Sequence, residues 1–298
     1  MVPAGCMVCD VGCDHGYVPI YLAERRVCPR IIAMDETEGP LMQATEHIRA
    51  FPLEEYIETR RSDGVSALGY KEADYLILAG MGGRLAVRIL ADGREKVARM
   101  KGLILQPQSD LVLVRTYLRQ QGYEIVQENM VHEDGKFYTV MKAVFCVTGQ
   151  QCSGSMERDT MAGKAGPSQS QAAAEGTEMS DKGLLRQAYD RYGPCLLHNR
   201  HPVLYEFLQW EEEREAAIRH RILTQAREEG GAGCRRLEEL NVSARIRAAA
   251  LSCYTCAHPE EGMTGLPWDS ERKCTDAVQG IDGKAGNGMA FIPCGELG

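Results

Sequence analysis

Residues 7–19, MVCDVGCDHGYVP, decide the reading of this chain. Four of the first five are apolar or β-favouring and predict a buried strand. Asp10-Val11-Gly12-Cys13-Asp14-His15-Gly16 then turns tightly into YVPIYLAERR, where Val18, Tyr21 and Leu22 have helical spacing. A strand passing through a glycine turn into a helix gathers backbone N–H groups and a positive helix end at one spot, which is a place to hold a ligand.

Asp35 closes a second apolar run, RIIAMD, about twenty residues beyond the turn, at the distance from which a carboxylate accepts hydrogen bonds from ribose hydroxyls. The glycines do not meet the dinucleotide fingerprint G-x-G-x-x-G, because Asp14 stands where the middle glycine would be. Acid-x-Gly-x-x-x-Gly resembles the first motif of S-adenosylmethionine-dependent methyltransferases, whose cofactor is a sulfonium cation without a pyrophosphate. A carboxylate at Asp10 or Asp14 favours a cation and repels a diphosphate.

Working outward, a helix is expected through Leu41, Ala44, Ile48 and Phe51, and a third strand over Tyr56 to Arg61, followed by Ser62-Asp63-Gly64. DYLILA, residues 74–79, reads as a fully buried strand ending in Gly80-Met81-Gly82-Gly83, where cofactor and substrate can approach the backbone closely. A helix through Leu85, Ile89 and Leu90 follows. KGLILQ at 101–106 is a fifth strand broken by Pro107, then comes a helix through Leu111, Val114, Tyr117 and Leu118. Strands at 123–131 and 137–145 flank an Asp134-Gly135 hairpin turn. The pattern predicts an α/β fold, a Rossmann-like methyltransferase sheet, mostly parallel, with one reversed strand at its end.

At 298 residues the chain is long enough for two domains, and its 34 basic against 42 acidic residues announce no nucleic-acid partner globally. The counts are 17 basic and 20 acidic in residues 1–146, and 11 and 10 in 183–251, so a local basic face remains open. No run is long and apolar enough for a membrane span, the start lacks a signal pattern, and a cytoplasmic protein is expected. The twelve scattered cysteines read as reduced thiols. Neither Cys6, Cys9 and Cys13 nor Cys253-x-x-Cys256 with Cys274 and Cys294 makes a complete zinc site, so no metal is expected.

DVGCDHGYVPI, Asp35 with Glu38-Gly39-Pro40, SDG, ILAGMGG, LILQPQ and EDGKFY occur in one order over residues 7–145. Together they resemble the bacterial tRNA (adenine-22-N1)-methyltransferase family (TrmK-like), with a weaker likeness to its helical C-terminal domain in YGPCLLHNRHPVLYEFL and beyond. The resemblance implies a class I methyltransferase fold, S-adenosyl-L-methionine as donor, and methylation of N1 of an adenine in the tRNA D-loop region. Family members usually carry a helix before the first strand, and here six residues stand there; either the start lies elsewhere or part of the cofactor lid and tRNA face is absent.

On these grounds cofactor contacts are expected from Asp10, Gly12, Asp14, Gly16, Asp35, Asp63, Gly64, Gly80, Met81 and Gly82. Asp14, His15 and Tyr17 are the catalytic candidates. Arg84, Arg88, Gln106 and Pro107 are expected to meet the substrate. Residues 147–182, rich in Gly, Ser, Gln and Ala, read as a flexible linker. Residues 183–251 read as a helical hairpin with one helix from Pro202 to Glu229 and another after Gly233, whose arginines at 214, 219, 221, 235, 236, 245 and 247 could meet phosphates. Residues 252–298 form an irregular tail. A monomer acting on tRNA is expected; the alternatives are methylation of another RNA or a small molecule, or a noncatalytic nucleotide- or RNA-binding protein keeping the fold.

Overall fold

Val8, Cys9, Asp10 and Val11 are all buried, and this strand (β1, Val8–Val11) is an interior strand, third from one edge, of a seven-stranded sheet in the computed structural model, which describes residues 1–146, 181–225 and 233–255. It pairs in parallel with β2 (Ile31–Asp35) on one side and, after β3 (Ile57–Arg61), with β4 (Tyr75–Ala79) on the other. β5 (Gly102–Gln106), β6 (Tyr123–Glu133) and β7 (Lys136–Phe145) complete the order β3-β2-β1-β4-β5-β7-β6. Chain direction reverses its progress between β1 and β4, and in such sheets ligands bind outside the carboxyl ends of the strands at that switch point. Full burial of β2, β4 and β5 up to their last residue explains their unbroken apolar runs.

The reversed strand is β7, antiparallel to both β5 and β6. It is second from the edge, not at the end as the sequence suggested, because the hairpin folds back inward to reach β5. Asp134 (φ 49°) and Gly135 (φ 70°) both take left-handed backbone, the type I′ turn that matches strand twist. The hairpin strands extend to Glu133 and Lys136, two residues and one residue beyond the expected limits.

Helices α1 (Tyr17–Glu24), α2 (Glu38–Ala50), α3 (Gly83–Asp92), a short α4 (Arg94–Val97) that the sequence did not suggest, and α5 (Leu111–Gln120) connect the strands. The inward face of α1 differs from the expected one. Val18 and Tyr21 are exposed, and Pro19, Ile20, Leu22 and Ala23 pack inward. Phe51 and Leu85 are likewise exposed while Ala44, Ile48, Ala86 and Ile89 are buried. Small residues take the positions nearest the sheet, a choice that large-residue spacing hides.

Beyond the sheet lie α6 (Asp181–Tyr192), α7 (Pro194–His198), α8 (Pro202–Gln225) and α9 (Gly233–Thr255), within the same compact unit as the sheet. Two helices therefore precede the expected pair; α6 starts inside the stretch assigned to the linker, and α9 runs four residues past 251. The rest of the linker and the tail, with Cys256, Cys274 and Cys294, fall outside the described residues. Met130 of β6 joins Leu184, Ala188, Tyr192, Leu196, Leu204, Leu208, Ile246 and Ala250 in a second core. Each fully buried leucine there stabilises the fold by about 1.5–3 kcal/mol.

Glu211 and Glu215 of α8 are a polar part of this packing. Glu211 accepts hydrogen bonds from Arg191 (2.7 Å) and Tyr192 (2.6 Å), and Glu215 from Ser243 and Arg247. Arg247 is 6% exposed and is therefore withdrawn from the set of phosphate contacts. Arg219 and Arg236 hold Asn241 and Glu239.

The joint between sheet and helices is a buried ion pair. Arg115 of α5 and Glu128 of β6, with side chains 2% and 0% exposed, meet at 3.0 Å. Arg115 also donates to the carbonyls of Asp190 and Arg191 at the end of α6, where unpaired carbonyls and the negative helix end both favour a cation. Glu128 accepts the Cys195 N–H at 3.0 Å.

Candidate active site

The turn after β1 is built on three left-handed residues, Gly12 (φ 75°), Asp14 (φ 49°) and Gly16 (φ 79°). Gly12 and Cys13 donate to the Met34 carbonyl at 2.8 and 3.0 Å, and the Asp14 N–H donates to the Asp35 carboxylate at 3.2 Å. The other Asp35 oxygen accepts Thr37 N–H at 2.9 Å. Asp35 thus fastens the ends of β1 and β2 together. Glycine is required at 16, where a Cβ would stand 3.2 Å from that of Ala44.

Asp10, 3% exposed, lies below this turn. Desolvation, and second the nearby Asp35 charge, push its pKa up to about 7. Asp14 is open to solvent, and the His15 ring nitrogen lies 3.6 Å from its carboxylate. Tyr17, 52% exposed, approaches both His15 (5.7 Å between centroids) and His47 (5.6 Å, stacked). His47 is a residue that sequence reasoning missed. It sits 3.0 Å from the His15 carbonyl, which can only accept, so Nδ1 carries the proton. An isolated histidine on α2 has no motif spacing to reveal it.

At the end of β3, Ser62 N–H donates to the Asp35 carbonyl, while Asp63 is exposed and 3.5 Å from Arg88. Two expected contact residues, one for cofactor and one for substrate, are therefore partners of each other. Gly64 (φ 54°) faces Ile89.

The loops after β4 and β5 are laced together. Gly80 (φ 77°) donates to both the backbone carbonyl (3.2 Å) and side-chain oxygen (2.8 Å) of Gln106, Gln108 N–H to the Met81 carbonyl (2.9 Å), and Gly83 N–H to that of Ser109 (3.2 Å). A Cβ on Gly12 would meet Met81 Cε at 3.0 Å, so the β1 and β4 ends also approach closely. Gly82 caps α3 in extended backbone. Gln106 spends its carbonyl oxygens on Gly80, which leaves its NH2 as the group it can offer a base. Pro107 is buried and sets the course of the chain; it offers no stacking surface. Arg84, 84% exposed, stands 3.6 Å from Asp110.

Asp10, Gly12, Asp14, Gly16, Asp35, Gly80, Met81 and Gln106 are thus gathered at the carboxyl ends of β1, β2, β4 and β5. Such a set suits a cationic ligand with ribose hydroxyls. Among the described residues no cluster of His, Cys, Asp and Glu could hold a metal ion, and no helix is long and apolar enough to cross a membrane.

Residues 1–141 match the family described as "Methyltransferase domain". Over 142 residues the chain is 35% identical to the tRNA (adenine(22)-N(1))-methyltransferase of Bacillus subtilis, a match covering 48% of this chain and 60% of that protein. The chain spans about 60% of the length of the curated relatives it matches. Structural likeness reaches further. The B. subtilis M1A22 tRNA methyltransferase TrmK superposes with a TM-score of 0.63 at 25% identity, covering 84% of this chain and 94% of that one. Streptococcus pneumoniae Sp1610 in complex with S-adenosyl-L-methionine superposes at 0.61 with 28% identity, covering 85% and 94%.

Sheet order, glycine turn and sequence match together define a Rossmann-like methyltransferase domain. Within that class, the chain is similar to bacterial tRNA (adenine-22-N1)-methyltransferases in both sequence and fold.

Proposed function

We propose that the protein uses S-adenosyl-L-methionine to methylate N1 of adenine 22 in tRNA. The observation that carries this reading is the β1 turn, fastened by Asp35 and closed against Met81, in a chain whose relatives in sequence and in fold share that activity or bind that donor. The donor set fits: the carboxylate of Asp14, and that of Asp10 once ionised, attract a sulfonium cation, Asp35 accepts from ribose hydroxyls, and glycines at 12, 80 and 82 let a cofactor lie against the backbone. Asp63 and Gly64 would face the adenine end. Bound there, S-adenosyl-L-methionine supplies an electrophilic methyl group.

Adenine N1 already carries a lone pair, so the chain need not supply a strong base. It must hold the base in line, keep water out and meet the positive charge that develops on the ring. Asp14, exposed at the mouth of the turn, supplies that negative charge. Tyr17 offers a ring to a base that has left its stack, since the reacting edge is the one used in pairing. His15, beside Asp14, orients the base or takes up a proton from the acidified exocyclic amine. The Gln106 NH2 donates to the base, and Arg84 and Arg88 meet phosphates. The helices α6 to α9 hold the tRNA, and the chain works as a monomer.

Transfer of labelled methyl to unmodified bacterial tRNA, with the product base mapped by digestion and mass spectrometry, tests this. N1-methyladenosine at position 22 is expected, with kcat lowered about 10²–10³-fold in Asp14→Ala. Cofactor binding without transfer would exclude tRNA as substrate.

A further inference from the structure

Between α5, the catalytic-side half of the β6–β7 hairpin and helices α6 and α8 runs a groove of about 700 Å³. Its size is in the range of small-molecule sites. Leu111, Val112 and Leu113 form one wall, Phe137 and Met130 another, and Leu204 and Phe207 of α8 the third. Its first residue, Asp110, directly follows the Gln106–Ser109 loop that is hydrogen-bonded to Gly80, Met81 and Gly83. One end of the groove therefore lies next to the loop that borders the proposed methyl-transfer site.

Its aromatic wall continues to the surface. His132 stacks on Phe137 (4.0 Å between centroids, 9°), Phe137 meets Phe207 (5.1 Å), and both approach Trp210 (5.8 and 5.7 Å). Trp210 remains 40% exposed, and the Arg214 guanidinium lies 5.1 Å over its ring. Val112 and Leu113 opposite are 47% and 42% exposed. Apolar side chains this open are unusual beside a catalytic face unless something covers them.

The charge suits a polyanion whose base enters. The lining cations Arg115 and Arg191 are committed to Glu128 and Glu211, and two more exposed arginines lie beside the groove, Arg214 over Trp210 and Arg84 near Asp110. The lining carboxylates are already engaged, Asp110 by Ser109 (2.8 Å) and Arg84, and Glu211 by Arg191 and Tyr192. Rings, exposed aliphatic side chains and flanking arginines without a hydrogen-bonding code are the composition that takes unpaired bases irrespective of sequence.

We propose that this groove is a stacking subsite for an unpaired base of the RNA substrate, adjacent to the target adenine and separate from the pocket that holds it. The inference rests on the proposed tRNA substrate. With the target base extruded, its neighbour loses a stacking partner, and the Phe137–Phe207–Trp210 wall replaces it.

The test uses the full chain with Val112→Asp and Trp210→Ala. Wild-type binding and methylation of tRNA are measured first; their absence overturns both the substrate reading and this one, before any variant is made. With wild type active, each variant is expected to raise KM for tRNA about tenfold, leaving kcat, S-adenosyl-L-methionine affinity and melting temperature unchanged. tRNA transcribed with 5-iodouridine, which photocrosslinks to stacked rings, should yield a crosslinked peptide containing Phe137, Phe207 or Trp210. KM within twofold of wild type in Val112→Asp overturns the proposal, and that variant decides if Trp210→Ala loses stability. A wild-type dimer that Val112→Asp dissociates gives the groove to a second copy of the chain and also overturns it.

Discussion

At Asp10 a carboxyl side chain stands in mid-sheet, opposite Ala33 of β2 and Ile77 of β4, with 3% of its surface exposed. Its pKa of about 7, against the ordinary 3.8 of an aspartate, means that the folded chain holds a proton there which the unfolded chain has released between about pH 4 and 7. Folding stability should therefore fall as pH rises through that window and level off above it, by at most about 4 kcal/mol. Asp10→Asn removes this dependence. Urea midpoints at pH 5 and pH 8 should converge in the variant, which should be the more stable protein at pH 8, while its affinity for S-adenosyl-L-methionine falls. A wild-type midpoint that is flat or rises from pH 5 to 8 would contradict this. Asp10, Gly12, Gly16 and Asp35 were legible in the sequence because strand, glycine turn and acid at a fixed distance form a local pattern. His47 was not, since its partner His15 lies 32 residues away. The burial of Pro107 was not legible because a proline ending a strand gives no sign of whether its ring faces solvent.

Among the elements, the joint at Arg115 and Glu128 decides whether the helices move with the sheet. Removing one partner leaves the other charge buried, at a cost of about 3–5 kcal/mol. Arg115→Met should destabilise by that amount, since Glu128 and two α6 carbonyls lose their donor. Glu128→Gln keeps an acceptor for Cys195 N–H, so the double variant should recover much of the loss. A thermodynamic cycle from denaturant unfolding gives the coupling directly, and additive losses would show that the pair is not the joint. Elements whose partners are near in sequence were read correctly: the βα steps at β1, β2, β4 and β5 and the Asp134-Gly135 hairpin, whereas β3 passes to β4 without a helix. The two helices α6 and α7 were passed over because their partners lie far away in the chain: Cys195 of α7 is bonded to β6, some 70 residues earlier, and α6 packs against α5 and α9. The same sharing ties these helices to the sheet. A chain ending at Cys146 would expose Met130 and strand the Arg115–Glu128 pair at a surface.

Over the whole molecule the formal net charge is −8, so a polyanion meets repulsion except where cations are locally concentrated. The sequence showed the acidic balance and several arginines but could not tell which are committed. Side-chain pairing across helices decides that: Arg191 and Arg247 serve the carboxylates of α8, Arg115 the joint, and Arg84 remains 84% exposed beside the loop after β5. Phosphate contacts release counterions, and each contributes nearly one unit to the slope of log K against log salt. Arg84→Gln should therefore weaken tRNA binding at every salt concentration and make that slope shallower by about one. Arg247→Gln should leave the slope unchanged, its whole effect appearing in thermal stability, because its guanidinium lies against Glu215 inside the helical packing. Filter binding of unmodified tRNA between 50 and 200 mM salt (about the range over which such slopes are resolved) compares the two. A slope change in Arg247→Gln with none in Arg84→Gln would place the RNA along the helical face alone, away from the strand ends where methyl transfer is proposed.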